Sequence, residues 1–255
     1  MRVFLFFICI QFMNAQGFQL EEIESFPFQT KSFVGVDKFG FTYSIDRNTF
    51  YKIKGNEKYE YREIQLGNIA SVDLNNPLRI VLFFRESNSV VMLDNRLNEL
   101  KRIKFDQLRD SKNVEFASLA NDQSLWLFNI DSQELEIYDF NRDKVLIQSL
   151  PITKEVIQMK SNFNFCYVLF EDELRIYNAY GSMVFSKETN LNDFVIYKNS
   201  FLGWGNDSIV YSKNREHWQE EKKSVDFNGK QLYLTDQNFY IYDGKKITIN
   251  KITSK

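Results

Sequence analysis

The chain has 255 residues, 44% hydrophobic and 26% charged, with a net charge of −2 at pH 7. That supplies apolar material for a sizeable core and excludes wholesale disorder, while the near balance of charge excludes the basic footprint of a nucleic-acid binder. Twenty-five Phe and thirteen Tyr against ten Gly and three Pro point to strands, because aromatic side chains suit half-buried pleated surfaces.

The first fifteen residues, "MRVFLFFICIQFMNA", read as a cleaved signal peptide. Arg2 supplies the positive start, Val3 to Met13 an apolar run too short to span a bilayer, and Ala15 the small residue before a cut that leaves Gln16 first. Cys9 lacks the small residues that precede a lipidated cysteine, so no lipid anchor is expected, and no transmembrane segment remains after cleavage. Loss of Arg2 takes Lys+Arg from 32 to 31 against 34 acids, a mature charge of −3. Residues 16–29 form an N-terminal edge segment. Within it "FQLEEIESF" (18–26) is expected along an outer sheet edge or across the seam between the first and last repeats. Residues 30–255 form one repeat-built domain.

Landmarks for the repeat are the residues just before a polar corner: Ile53, Leu93, Tyr138, Tyr177, Tyr211 and Tyr242, at intervals of 40, 45, 39, 34 and 31. Such recurrence marks a repeat architecture. The first unit divides into "FVGVD", "GFTYSI", "TFYKIK" and "YEYREI"; the second into "IASVDL", "RIVLFF", "SVVMLD" and "ELKRIKF". The third gives "VEFASLA", "SLWLFNI", "ELEIYDF" and "KVLIQSL", and the fourth "VIQMKS", "FCYVLFE", "ELRIYNA" and "SMVFSK". The fifth, "DFVIYK", "FLGWG", "SIVYS" and "HWQEEK", fits more loosely, and the sixth reads "SVDF", "QLYLTD", "FYIYD" and "KITINKI". The second run of each unit is nearly all apolar and the fourth alternates or is polar, as for strands covered on two faces and on one. Corners such as "DFNRD", "NAYGS" and "YDGKK" carry the Asp, Asn and Gly of tight hairpins.

Six four-stranded antiparallel units predict an all-β fold, a six-bladed β-propeller. A pair of β-sandwiches is the main structural rival. The pattern over 30–252 resembles the divergent WD40, NHL and quinoprotein-like propellers, without the Trp-Asp or Gly-His signatures of true WD40 repeats. The Phe/Asn/Lys/Ile-rich composition and the "NAQ" end of the leader resemble envelope proteins of Bacteroidota.

Chemistry is sparse. His217, in "NREHWQEEKK", has no sharp Gly-flanked serine or reactive cysteine to serve, and "EEKK" (220–223) reads as a solvated edge. Cys166, in "FCYVLF", is expected as a small core residue. No phosphate loop, dinucleotide fingerprint or calcium loop occurs, so no catalytic residue, cofactor or metal is assigned. The turns expected between second and third strands carry Asp46, Glu86, Asp131, Glu171 with Asp172, Asp207 and Asp236. These acids either serve turn chemistry or form a docking face for a basic or amide-rich partner, blunted by Arg47 and Arg85. Asp207-Ser208-Ile209 resembles the Asp-Ser/Thr-apolar acceptor of Bacteroidota O-glycosylation, with Ser208 as the acceptor. The expectation for function is a non-catalytic interaction or scaffold propeller of the bacterial cell envelope, exported to the periplasm or outer membrane. It would serve a membrane-associated complex, with envelope or outer-membrane proteins as partners and no nucleic acid. The alternatives are a small-ligand or metal sensor and a glycan-active propeller enzyme.

Overall fold

The structure, a computed structural model, describes residues 18–206, 208–215, 217–222, 226–227 and 229–254. Six antiparallel sheets of four strands each make a six-bladed propeller. Blade 1 holds β2 (Ser32–Val36), β3 (Thr42–Asp46), β4 (Thr49–Lys54) and β5 (Glu57–Arg62); blade 2 holds β6 (Ser71–Asp73), β7 (Ile80–Phe84), β8 (Ser89–Leu93) and β9 (Glu99–Lys104). Blade 3 is built from β10 (Val114–Asn121), β11 (Ser124–Asn129), β12 (Glu134–Asp139) and β13 (Lys144–Gln148). Blade 4 follows with β14 (Gln158–Ser161), β15 (Phe165–Leu169), β16 (Glu173–Asn178) and β17 (Met183–Glu188). Blade 5 takes β18 (Leu191–Tyr197), β19 (Ser200–Gly205), β20 (Ser208–Ser212) and β21 (Gln219–Lys222). Blade 6 joins β22 (Gln231–Leu234), β23 (Asn238–Tyr242) and β24 (Lys246–Ser254) to the first strand of the chain, β1 (Phe18–Pro27). No helix among the described residues is long and apolar enough to cross a membrane.

The core is divided among the seams between blades. Along β11, Leu125 and Leu127 enter the cluster shared with blade 2, while Trp126 and Phe128 enter the one shared with blade 4. Along β15, Cys166 and Val168 face blade 3, and Tyr167 and Leu169 face blade 5. Successive strand residues point to opposite faces, and both faces of a second strand are covered. That is why those runs are apolar throughout rather than alternating.

Blade 6 departs from the sequence reading in phase. "QLYLTD" was expected as a second strand, but β22 is the innermost, β23 the second and β24 the third, and β1 is the outermost. Asp226 and Phe227 of the expected first strand "SVDF" lie outside any strand, and Phe227 packs in the seam core between blades 5 and 6. The alternating "KITINKI" mimics an outer strand because it lies near the rim, yet its outer edge is paired with β1 from Phe18↔Ser254 to Pro27↔Lys246. Tyr242 therefore ends a second strand, whereas Tyr138, Tyr177 and Tyr211 lie on third strands.

The recurring polar step has a common geometry. Asp139 Oδ1 accepts the N–H groups of Asn141 at 2.9 Å and Arg142 at 3.0 Å, and Asn178 Oδ1 accepts those of Tyr180 at 2.9 Å and Ser182 at 3.1 Å. Asp94 does the same for Arg96 at 2.7 Å and Asn98 at 2.8 Å. A short side-chain acceptor at the strand end thus closes the corner by satisfying turn N–H groups.

Candidate functional site

Antiparallel order places the turns between second and third strands, with the blade-to-blade connections, on one face of the disc; the other turns lie on the opposite face. The first face, termed upper, carries Asp46, Glu86, Asp131, Glu171 and Asp172. Asp207 lies outside the described residues. Asp236 belongs to the lower face, because the turn it occupies joins the first and second strands of blade 6. There it pairs with Lys198, in the matching turn of blade 5, at 2.5 Å. Asp243, in the turn between β23 and β24, takes the upper-face place instead.

Three upper-face acids are braced from 18 positions upstream, within their own blade. The Asn68 amide donates to Glu86 at 2.9 Å, the Asn113 amide to Asp131 at 3.4 Å, and the Lys154 ammonium to Asp172 at 2.9 Å. Each of these carboxylates is thus answered by a donor from the segment that leads into its own blade. Neighbouring asparagines tie successive blades together. Asn48, with φ 61°, donates to Gly67 O at 2.6 Å and accepts from Ile69 N at 3.2 Å. Asn88, with φ 46°, donates to Lys112 O at 2.6 Å and accepts from Val114 N at 3.1 Å.

At the centre, each inner strand turns an edge of unpaired backbone groups toward the axis, and polar side chains of adjacent blades satisfy them. Asp73 Oδ2 accepts Leu119 N at 2.8 Å. The Ser161 hydroxyl donates to Leu119 O at 3.1 Å and lies 2.7 Å from the Ser118 hydroxyl. Lys160 donates to Phe194 O and Gln231 accepts from Phe33 N at 2.5 Å, while Asn75 of blade 2 reaches past blade 3 to donate to Ser161 O of blade 4 at 2.5 Å. Asp73 also accepts the Asn75 N–H at 2.7 Å. Burial pushes its carboxyl up to about 6, against the pull of the Asn75 and Leu119 N–H groups. Sequence reasoning missed Asp73. It sits in "SVDL", and only the topology brings it to the channel wall.

The other singled-out residues are dispersed. His217 is exposed in the connection between β20 and β21, and Glu220 of "EEKK" pairs with Lys187 at 3.3 Å. Cys166 is fully buried, and burial pushes its thiol well up, so it is a packing residue. Ser208 opens β20 and lines a cleft of about 520 Å³ with Asp172, Glu188, Thr189, Asn190 and Glu220.

No protein-family model matches the chain, and no curated protein matches it in sequence. Its likeness is to solved structures. Virginiamycin B lyase from Staphylococcus aureus superposes with a TM-score of 0.61 at 9% identity, over 92% of this chain and 100% of that one. The Pan2 WD40 domain of Neurospora crassa gives 0.59 at 9% identity, over 87% of this chain and 74% of the other. PorZ, described as an essential surface component of the type-IX secretion system of Porphyromonas gingivalis, gives 0.52 at 14% identity, covering 93% of this chain and 34% of PorZ. At these identities the likeness is one of fold, and fold does not decide function.

Proposed function

We propose that this propeller is a non-catalytic interaction module of the bacterial cell envelope, exported and acting as an accessory scaffold in a membrane-associated complex. The observation that carries the reading is the commitment of the channel's polar groups to bonds between blades, from Asp73 to Leu119 and from Gln231 to Phe33. Such a centre is a rigid hub, and its upper-face turns remain for contact. The apolar leader and the likeness of fold to PorZ support the envelope setting. The upper face, with Asp46, Glu86, Asp131, Glu171, Asp172 and Asp243, is the proposed docking side for a basic or amide-rich partner. Ser208 is the proposed point of O-glycosylation.

The test is affinity purification from the native envelope with mass spectrometry of co-eluting proteins, repeated with Asp46, Asp131 and Asp243 changed together to Asn. A stoichiometric envelope partner, captured more slowly by the triple variant at low salt, fits the proposal, since exposed charge acts mainly on association. Recovery in the cytosolic fraction without a partner overturns it. A second reading, a glycan-active or ligand-sensing propeller, draws on Asp73, whose carboxyl, pushed up to about 6 by burial, suits proton transfer near neutral pH. Glycan binding or cleavage lost in Asp73→Asn supports that reading.

A further inference from the structure

β1 belongs to blade 6 by its hydrogen bonds and to blade 1 by its chain. Each other outer strand is tied to the third strand of its own blade by a corner, as β5 is through 55–56 and β13 through 140–143. β1 has no corner of that kind, and residues 28–31 lead from it into β2. Its hold on blade 6 is a backbone ladder to β24 from Phe18↔Ser254 to Pro27↔Lys246, broken at Ile23. Side chains add two anchors. Among residues 19–27 only Leu20 and Phe26 are partly buried, and the others are exposed, Ile23 to 57%.

The link continues the grip. Phe28 N donates to Lys245 O at 2.9 Å, and its ring meets Tyr242 at 6.1 Å and Phe33 at 6.4 Å, edge-on in both cases. The Tyr242 hydroxyl donates to Thr30 O at 2.7 Å and accepts Thr30 N at 3.1 Å, while the Thr30 hydroxyl donates to Ile45 O at 3.1 Å. Lys31, which follows, is exposed. A second copy of the chain offers the same β24, Tyr242, Phe33 and Ile45. Residues 18–30 can therefore cross to it with the chain opened at Lys31 and forfeit none of these contacts.

We infer that this closing segment is exchangeable: residues 18–30 of one copy complete blade 6 of a second, which returns its own segment, giving a two-fold dimer. Exchange of an identical element is a low-cost route to a dimer, because its contacts already exist and only the hinge is new. The edge of β24 would take any extended strand through its backbone. Leu20 and Phe26, however, enter cores shaped around them, at the seams of blades 5 and 6 and of blades 6 and 1. A second copy supplies both in register. A hinge of one or two residues reaches about 4–7 Å, so the two closing seams face each other in the dimer. Within one chain the short link holds β1 at an effective concentration in about the millimolar range. The monomer therefore prevails in dilute solution, and exchange needs chains that close at comparable concentration. The inference does not rest on the scaffold reading.

The test uses the chain from Gln16 with Gln19→Cys and Thr253→Cys, a facing pair on β1 and β24; the remaining thiol, Cys166, is buried. The protein is held near its unfolding midpoint in urea at about 1 μM and at about 1 mM, returned to buffer, separated by size and oxidised. The dilute sample should be monomer with the disulfide inside one chain. The concentrated sample should add a species of twice the mass whose disulfides join two chains under denaturing conditions. Wild type treated alike keeps the test independent of the added cysteines. Its dimer should outlast dilution, because return to monomer requires β1 to leave β24. Absence of a dimer at the higher concentration overturns the inference. So does a dimer whose disulfides all lie within single chains, or a wild-type dimer that dissociates at once on dilution, since either is a contact between closed monomers.

Discussion

At the scale of single residues, side chains of a few atoms join one blade to the next. Asn88 occupies a left-handed backbone position and bonds Lys112 O and Val114 N of the following blade. Asn88→Ala should cost about 2–3 kcal/mol, combining the left-handed strain of a Cβ residue with two lost hydrogen bonds. Asn88→Gly relieves the strain and should fall between the two proteins in urea denaturation; equal losses for Ala and Gly would remove the conformational part of the account. Asp73 makes a different prediction. Its folded carboxyl titrates at about 6, above the unfolded value of roughly 3.9. The folded protein thus binds the extra proton, and this group adds stability as pH falls from 7 through 6 toward 4. The gain is on the order of 1–3 kcal/mol, and Asp73→Asn should flatten melting temperature against pH in that window. Glu173 acts oppositely: the Arg175 guanidinium holds it down to about 2, so its contribution is present above its unfolded value of roughly 4.3 and is lost as pH falls below it. Neither Asn88 nor Asp73 is marked by a motif. Each matters through a neighbour in another blade, 24 positions away for Lys112 and 46 for Leu119, and a local pattern carries no such distance.

At the scale of strands and corners, the sequence was far more informative, for physical reasons. Continuous apolar runs mark β7, β11 and β15 because alternate residues serve two seams, as Ile80 and Val81 do for the seams with blades 1 and 3. The polar corners were visible because Asp and Asn close them with their own side chains. Asp94 bonds the N–H of Arg96 and Asn98 and the Asn98 side chain at 2.9 Å. Asp94→Ala should therefore lower stability by about 1.5–3 kcal/mol, as charge-assisted bonds are lost, while Asp94→Asn retains part of it; chemical denaturation measures both. Blade 6 alone departs from the strand phase of its sequence pattern. A strand supplied from the other end of the chain shifts the phase of the remaining three, and nothing within 224–254 reveals the shift. The same shift puts Asp236 on the lower face rather than the upper. Fourth-strand bulges at Leu100, Leu146 and Val184 were likewise hidden, since one extra residue breaks alternation without announcing itself.

For the whole molecule the decisive step is closure. A ring of blades is stable only if the last sheet is completed, and here completion is entrusted to the two ends of the described chain. β1 pairs with β24 along nearly its full length; Leu20 packs against the seam of blades 5 and 6, and Phe26 against that of blades 6 and 1. Beyond the strand, the Tyr242 hydroxyl donates to Thr30 O at 2.7 Å and accepts Thr30 N at 3.1 Å, fixing the path into blade 1. Removal of 18–27 would strip both apolar anchors and leave the edge of β24 open. Two partly buried side chains of this size contribute about 1–2 kcal/mol each, and each kcal/mol shifts the melting point of a domain this large by about 2–4 °C. The truncated protein should melt about 5–10 °C lower and aggregate on heating through the exposed edge. Leu20→Ala/Phe26→Ala, which keeps the backbone ladder, should show the lower melting point with much less aggregation, because its edge stays covered. Melting of the truncated protein at the wild-type temperature would mean that the propeller closes without β1. Aggregation equal in the two variants would trace it to the lost anchors rather than to the open strand.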